Sequence, residues 1–134
     1  MSNISFAKPT ATSLTVNQFD IWLADIPVLK DSHIQYGRRP VVIVSNDAAN
    51  AHSPVITVVP LTTQMHKHHL PTHVYLAGQG LNRASIALCE QVMALDKIHL
   101  LRRIGMVYKS FDHMALNHAL AVQLGIESQL EMAA

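Results

Sequence analysis

Arg39, Thr62, Glu90 and His33 are scattered along the chain, yet their types are those that cleave RNA through its own 2′-hydroxyl. That reaction needs a base for the 2′-proton, an acid for the departing 5′-oxygen, and cations or donors for the charge on the phosphorane. It needs no metal. Arg39 closes the polar string Gly37-Arg38-Arg39-Pro40 just ahead of a β-branched run. Pro40 fixes its own φ and pushes Arg39 toward an extended backbone. A guanidinium held there offers a planar fork to a phosphate and keeps its charge. Thr62 ends a second apolar run, where its hydroxyl suits a phosphate oxygen. Glu90 sits in Cys89-Glu90-Gln91, inside an apolar stretch where a carboxylate needs a partner or a cleft. In a cleft it is a general base. His33 lies in a long polar loop and suits an acid, a base or a donor. Each also has a plainer reading: a surface arginine paired with a carboxylate, a threonine bonding its own loop, a glutamate paired with an arginine. The four act together only if the elements around them bring them together.

Those elements follow from hydropathy and turn chemistry. Phe19 to Ala24 predicts a strand that stops at Asp25-Ile26-Pro27. Val28 to Arg39 is polar and glycine-punctuated, a loop long enough to be functional. Pro40 to Ser45 and Val55 to Pro60 are β-branched runs without polar alternation, the pattern of strands buried on both faces. Asn46-Asp47 and Asn50 carry turn chemistry. Thr62 to His69 is a second polar loop. Thr72 to Ala77 alternates as a strand, Gly78-Gln79-Gly80 turns, and Ala84 to Leu95 is apolar apart from Glu90 and Gln91. Asp96 opens a short helical stretch through Leu100, Leu101 and Arg103, and Met106 to Tyr108 is one more short strand. A last helix, capped by Ser110 or Asp112, carries Phe111, Ala115, Ala119, Val122 and Ile126 on one face, widened by Leu116, Leu120 and Leu124. Five or six strands and a terminal helix predict a mainly β domain that closes into a small barrel with helices outside. The helix is apolar over more than half its circumference, which fits either burial in the monomer or a homodimer.

The length of 134 residues makes one domain, and 49% hydrophobic against 14% charged residues excludes wholesale disorder. Met1 to Val16, rich in Ser, Thr and Ala, reads as a flexible tail ahead of a single domain, residues 17–134. A formal net charge of +1 excludes a protein that tracks a long stretch of nucleic acid, so any RNA contact is local and short. The lone Cys89 excludes an intrachain disulfide and fits a reducing cytosol. No apolar stretch is long enough to span a bilayer and the N-terminal segment has no apolar signal core, which predicts a cytoplasmic protein without a membrane partner. His66-Lys67-His68-His69, with His73 nearby, lacks the ligand spacing of a zinc site. It reads as a solvated loop whose cations could alternatively touch phosphates. No metal or cofactor is expected. Arg83, Arg102 and Arg103 read as solvated charges.

Several strings, in order, resemble the MazF/PemK (Kid) family of toxins from type II toxin–antitoxin systems. Asp20-Ile21-Trp22-Leu23-Ala24-Asp25 looks like the family's opening strand. Gly37-Arg38-Arg39-Pro40-Val41-Val42-Ile43-Val44-Ser45-Asn46-Asp47 resembles its G-x-R-P-V-x-I-V-x-N-D signature, with Asn50 and Ser53-Pro54 following at the family's spacing. Val59-Pro60-Leu61-Thr62 and Leu70-Pro71-Thr72-His73-Val74 are similar to two later segments, and Cys89-Glu90-Gln91 with Leu95-Asp96-Lys97 resembles C-E-Q…I-D-K. The resemblance spans about residues 18 to 126. It implies an SH3-like β-barrel of the MazF/CcdB type with flanking helices, acting as a homodimer. It also implies a metal-independent endoribonuclease that cuts single-stranded mRNA at chosen sequences, leaves 2′,3′-cyclic phosphate and 5′-hydroxyl ends, inhibits translation, and is neutralised by a cognate antitoxin.

Carried over by residue, Arg39 matches the catalytic arginine of the R-P motif, Thr62 the threonine used beside it, His33 the loop histidine of the PemK/Kid branch, and Glu90 that branch's acidic residue. RNA contacts are expected from Gln35, Tyr36, Arg38, Thr63, Gln64, Lys67 and Gln91, with Tyr36 stacking a splayed base. The chain departs from the pattern in three places. The loop reads Ser32-His33-Ile34-Gln35 without its glutamate. Leu88 stands where a Kid-type arginine precedes the acid, which turns the acid or charge-stabilising role toward Arg39. Met93-Ala94 replace the usual Arg-Thr. The rival expectation on the same barrel is a CcdB-like gyrase-binding toxin, or a catalytically inactive homologue that binds RNA or antitoxin.

Overall fold

Among the described residues, 14–65 and 69–126 of a computed structural model, seven strands and two helices follow one another. They are β1 (Asp20–Ile26), β2 (Gly37–Ile43), α1 (Asp47–His52), β3 (Val55–Thr62), β4 (His73–Leu76), β5 (Ser85–Leu88), β6 (Met93–Asp96), β7 (Leu100–Met106) and α2 (Ser110–Leu124). The strands are antiparallel in the order β4-β5-β3-β2-β1-β7, and β6 branches off β3. The branch explains the fold. One edge of β3 pairs with β2 through Val58, Val59 and Pro60. Its other edge pairs with β6 from Val55 to Val58 and with β5 at Leu61 and Thr62. Pro60, which has no N–H to give, falls in the gap between those two partners, where the missing donor interrupts neither ladder.

The division of β3 creates two cores. Strands β7, β1, β2, β3 and β6 enclose Trp22, Ala24, Ile26, Val41, Ile43, Ile56, Val58, Leu95 and Leu100. On the other face, Ile21, Val42, Val59 and Leu61 pack with β4, β5 and Leu116 and Ala119 of α2. Consecutive residues of β2 therefore enter different cores: Val41 and Ile43 one, Val42 the other, all fully buried. Each such side chain contributes roughly 1.5–3 kcal/mol. This is the physical meaning of a β-branched run without alternation. Val16 is buried in the first core, with Leu14 packed against it.

The sheet does not close into a barrel by hydrogen bonds, because β4 and β7 form its two free ends. Between them lies a glycine seam. A Cβ on Gly80 would stand 2.2 Å from the Ile104 carbonyl oxygen, and one on Gly105 would stand 2.1 Å from that of Gln79. Only bare backbone fits, so the turn after β4 presses directly on β7.

Three local expectations are corrected. The segment opening at Asp96 is a single 3₁₀ turn, Lys97–His99, followed by strand β7 rather than a helix through Arg103. Two register shifts between β1 and β7 break the side-chain alternation that would have revealed the strand. Asn46 is not a plain turn residue: its side chain accepts from the Ala49 amide and caps α1. Neither Ser110 nor Asp112 caps α2. No side chain does; buried Gln79 instead holds the chain just ahead of the helix, its Oε1 accepting from the amides of Tyr108 and Lys109 at 2.9 and 3.2 Å.

The Ser45-Asn46-Asp47…Asn50 part of the signature is structural. The Asn50 side chain is fully buried, and its Nδ2 donates to the Ser45 carbonyl at 2.8 Å. Ser45 Oγ in turn accepts from the Thr57 amide at 3.0 Å. Lys97, with no exposed surface, donates its Nζ to the Asn50 carbonyl, while its amide bonds the Pro54 carbonyl. This knot fastens α1 and the β6–β7 turn to β3.

Candidate active site

Strand register decides which side chains share a face, because paired residues point the same way and alternate residues repeat it. Arg39 lies two residues before Val41, which pairs with Pro60. Thr62, two residues on, pairs with Ile86, and Leu88 beyond it pairs with His73. Arg39, Thr62, Leu88 and His73 thus lie on one face, with Leu88 and His73 set two residues further along it than Arg39 and Thr62.

Arg39 is half-buried and clamped by two backbone carbonyls. Its Nε donates to the Tyr36 carbonyl and its Nη1 to the Leu61 carbonyl, both at 3.0 Å. The second bond ties it to the residue next to Thr62. Partial burial draws the guanidinium below its ordinary pKa, and the nearby Tyr36 opposes that shift. The group keeps its proton and a net positive charge. Thr62 is buried and its Oγ1 accepts from the Gln64 amide at 3.2 Å, leaving the hydroxyl proton to donate elsewhere.

Glu90 sits in the 3₁₀ turn Cys89–Gln91 that follows β5. Its Oε1 accepts from the Thr72 hydroxyl at 2.9 Å, and its Oε2 lies 3.0 Å from His73 Nε2. The adjacent Gln91 reaches the other way, its Oε1 accepting from the Gln35 amide at 2.8 Å. That bond joins the turn to the loop leading into Arg39. Cys89 is buried, and burial followed by the neighbouring Glu90 charge pushes its thiol up to about 12. It is no nucleophile.

The remaining site candidates divide. Tyr36 is 55% exposed and lines an open cleft of about 420 Å³ with Val28, Gly37 and His99. Arg38 is exposed opposite Asp25 in the β1–β2 register. Thr63 faces away from Thr62 and lines a separate cavity of about 310 Å³ with Pro40, Asn82, Arg83 and Arg102. Gln64 is exposed and joined to Thr62. His33 is exposed, and among the described residues no bond joins it to Arg39, Thr62 or Glu90. Lys67, with His66 and His68, lies outside the described residues.

Two roles escaped the sequence. Thr72 and His73 hold Glu90, a contact made only by the pairing of β4 with β5. Arg103 is not simply solvated: its Nε bonds buried Asp20 at 3.0 Å. Asp20 also accepts from the Asn17 amide and the Trp22 indole.

Comparison with known proteins bears on this arrangement. Residues 17–124 match the family described as PemK-like, MazF-like toxins of type II toxin–antitoxin systems. A mycobacterial endoribonuclease, solved in complex with its cognate antitoxin, superposes with a TM-score of 0.68 at 27% identity, covering 83% of this chain and 96% of that one. The Mycobacterium tuberculosis toxin MazF-mt6 gives 0.65 at 27% identity, covering 80% and 97%. MazF from Deinococcus radiodurans, at 21% identity, shares the fold with a TM-score of 0.70 over 84% and 99%.

Proposed function

Because the chain belongs to the PemK/MazF family of type II toxins, we propose that it is a metal-independent, sequence-selective endoribonuclease that cuts single-stranded mRNA and so inhibits translation. The observation that carries this reading is Arg39. It is clamped on a strand end beside Thr62, with two of its five N–H donors spent on carbonyls and the rest able to meet a phosphate. The family match and the endoribonucleases among the similar structures support the same activity.

In this reading Glu90 takes the proton of the 2′-hydroxyl. The 2′-oxygen then forms a bond to phosphorus while the bond from phosphorus to the 5′-oxygen breaks. The leaving oxygen is protonated as it departs, by Arg39 or by water. Arg39 and Thr62 meet the charge of the phosphorane. The products carry a 2′,3′-cyclic phosphate and a 5′-hydroxyl. Glu90 is preferred over His33 as base because it is held by two donors on the shared face, whereas His33 is exposed on the loop. Tyr36, beside its cleft, stacks a splayed base, and Gln35, Arg38, Thr63, Gln64, Lys67 and Gln91 complete the RNA contacts.

The chain acts as a homodimer. Phe111 and Met114, 77% and 68% exposed on α2, supply apolar surface that a monomer leaves in water. A cognate antitoxin blocks the RNA site. No helix among the described residues is long and apolar enough to cross a membrane, in keeping with a toxin that meets mRNA in the cytoplasm.

The test is incubation of the purified protein with a long single-stranded RNA in EDTA, followed by mapping of the fragment ends. Discrete fragments with cyclic phosphates and 5′-hydroxyls are expected. Intact RNA across several substrates, with trapping of gyrase-cleaved DNA instead, would favour a gyrase poison.

A further inference from the structure

Glu90 and His73 pair a carboxylate with an imidazole. The His73 side chain is 6% exposed and that of Glu90 26%. Histidine Nε2 faces the carboxylate at 3.0 Å, and a carboxylate oxygen only accepts, so Nε2 carries the proton. The other ring nitrogen, Nδ1, accepts from the Leu70 amide at 3.4 Å. The Thr72 hydroxyl donates to the second carboxylate oxygen at 2.9 Å. Each oxygen thus receives one donor and keeps a lone pair for something outside the protein.

We propose that Thr72 and His73 are positioning residues for Glu90, holding its carboxylate turned so that its open lone pairs face the RNA 2′-hydroxyl. This rests on the reading of Glu90 as the base. The backbone supports the arrangement. Thr72 and His73 are consecutive where β4 begins, and the Thr72 carbonyl accepts from the Cys89 amide at 3.0 Å. His73 pairs across the sheet with Leu88. Both donors are therefore locked to the strand that delivers the carboxylate. Other titratable groups nearby are few. Cys89 shares the turn and stays a neutral thiol, β3 has none, β4 adds Tyr75, and α2 carries Asp112, His113 and His118. Asp112 accepts from Gln79, and His113 Nε2 donates to the Val107 carbonyl.

The experiment compares wild type, His73→Leu, His73→Gln and Glu90→Gln on a short RNA carrying the mapped cut site, in EDTA, with kcat and KM taken across pH. His73→Leu is expected to lower kcat about tenfold at unchanged KM. His73→Gln, which keeps an N–H at the right reach, restores most of the rate. A His73→Leu profile equal to wild type, beside an inactive Glu90→Gln, would overturn the positioning role and leave the base intact. Full activity in Glu90→Gln would overturn both. Should His73→Leu not fold, ¹⁵N chemical shifts of the His73 ring in the wild type decide: a proton on Nε2 is expected, and a proton on Nδ1 alone would refute the inference.

Discussion

The interior knot of Ser45, Asn50 and Lys97 and the rim group of Arg39, Thr62 and Glu90 draw on the same signature strings, yet they spend their hydrogen-bonding capacity differently. In the knot, Lys97 and Asn50 have no exposed surface, and each polar atom turns to another inside the protein. No buried side-chain nitrogen or oxygen among the described residues is left unpartnered. At the rim, Arg39 and Glu90 are bonded just enough to be fixed in direction. Three of the five guanidinium donors and part of the carboxylate's acceptor capacity remain. A polar residue sealed away from solvent holds the fold. One that is oriented but open to solvent can serve a ligand.

Arg39→Ala breaks the comparison most sharply. Removing a preorganised donor for transition-state charge costs roughly 10²–10³ in kcat, while Tm should fall by only a few degrees because the group is half-buried and its two acceptors can turn to water. Cleavage assays paired with thermal melts check this, and an active Arg39→Ala would remove the arginine from the chemistry. Lys97→Ala should behave in the opposite way. It deletes a buried stem and strips the Asn50 carbonyl of its donor, a loss of about 3 kcal/mol, or roughly 10 °C in Tm. Below its lowered Tm the variant should cut RNA at the wild-type rate. A rate loss without a stability loss would place Lys97 with the rim instead.

The sequence disclosed the parts of the molecule whose causes are local. The apolar runs reveal strands with two buried faces at Val41 to Ile43 and at Val58 to Leu61, while β3 begins with exposed Val55 and half-buried Thr57 on one side, and Arg39 stands out because Pro40 follows it. What it hid depends on partners far along the chain. Strand β7 was obscured by its two register shifts against β1. The approach to α2 is held by Gln79, some 30 residues upstream of the amides it meets. The donors that hold Glu90 lie on β4, and only the β4–β5 register brings them there. A reading of the chain can thus name the acid but not the groups that orient it.

Cys89 tests how sharp the boundary between the two regions is, since it is joined by a peptide bond to Glu90 yet has no exposed surface. Its folded thiol titrates at about 12 against an ordinary 9.0, with burial as the first cause. The folded state therefore holds this proton more tightly than the unfolded chain does. Below pH 9 both states are protonated and stability is unaffected. As pH rises from 9 toward 12, the unfolded thiol ionises while the folded one does not, so folding is progressively disfavoured. At about one pH unit above the ordinary value the loss is on the order of 1 kcal/mol. Cys89→Ala lacks that loss, so its Tm should decline less steeply than that of wild type between pH 9 and pH 10.5 or so, whatever its starting value. Lysines and tyrosines common to both proteins cancel in the difference. Parallel declines would mean that the thiol ionises freely in the folded protein. Solvent would then reach one residue deeper from Glu90 than its burial implies, and the inner limit of the site would have to be drawn behind Cys89.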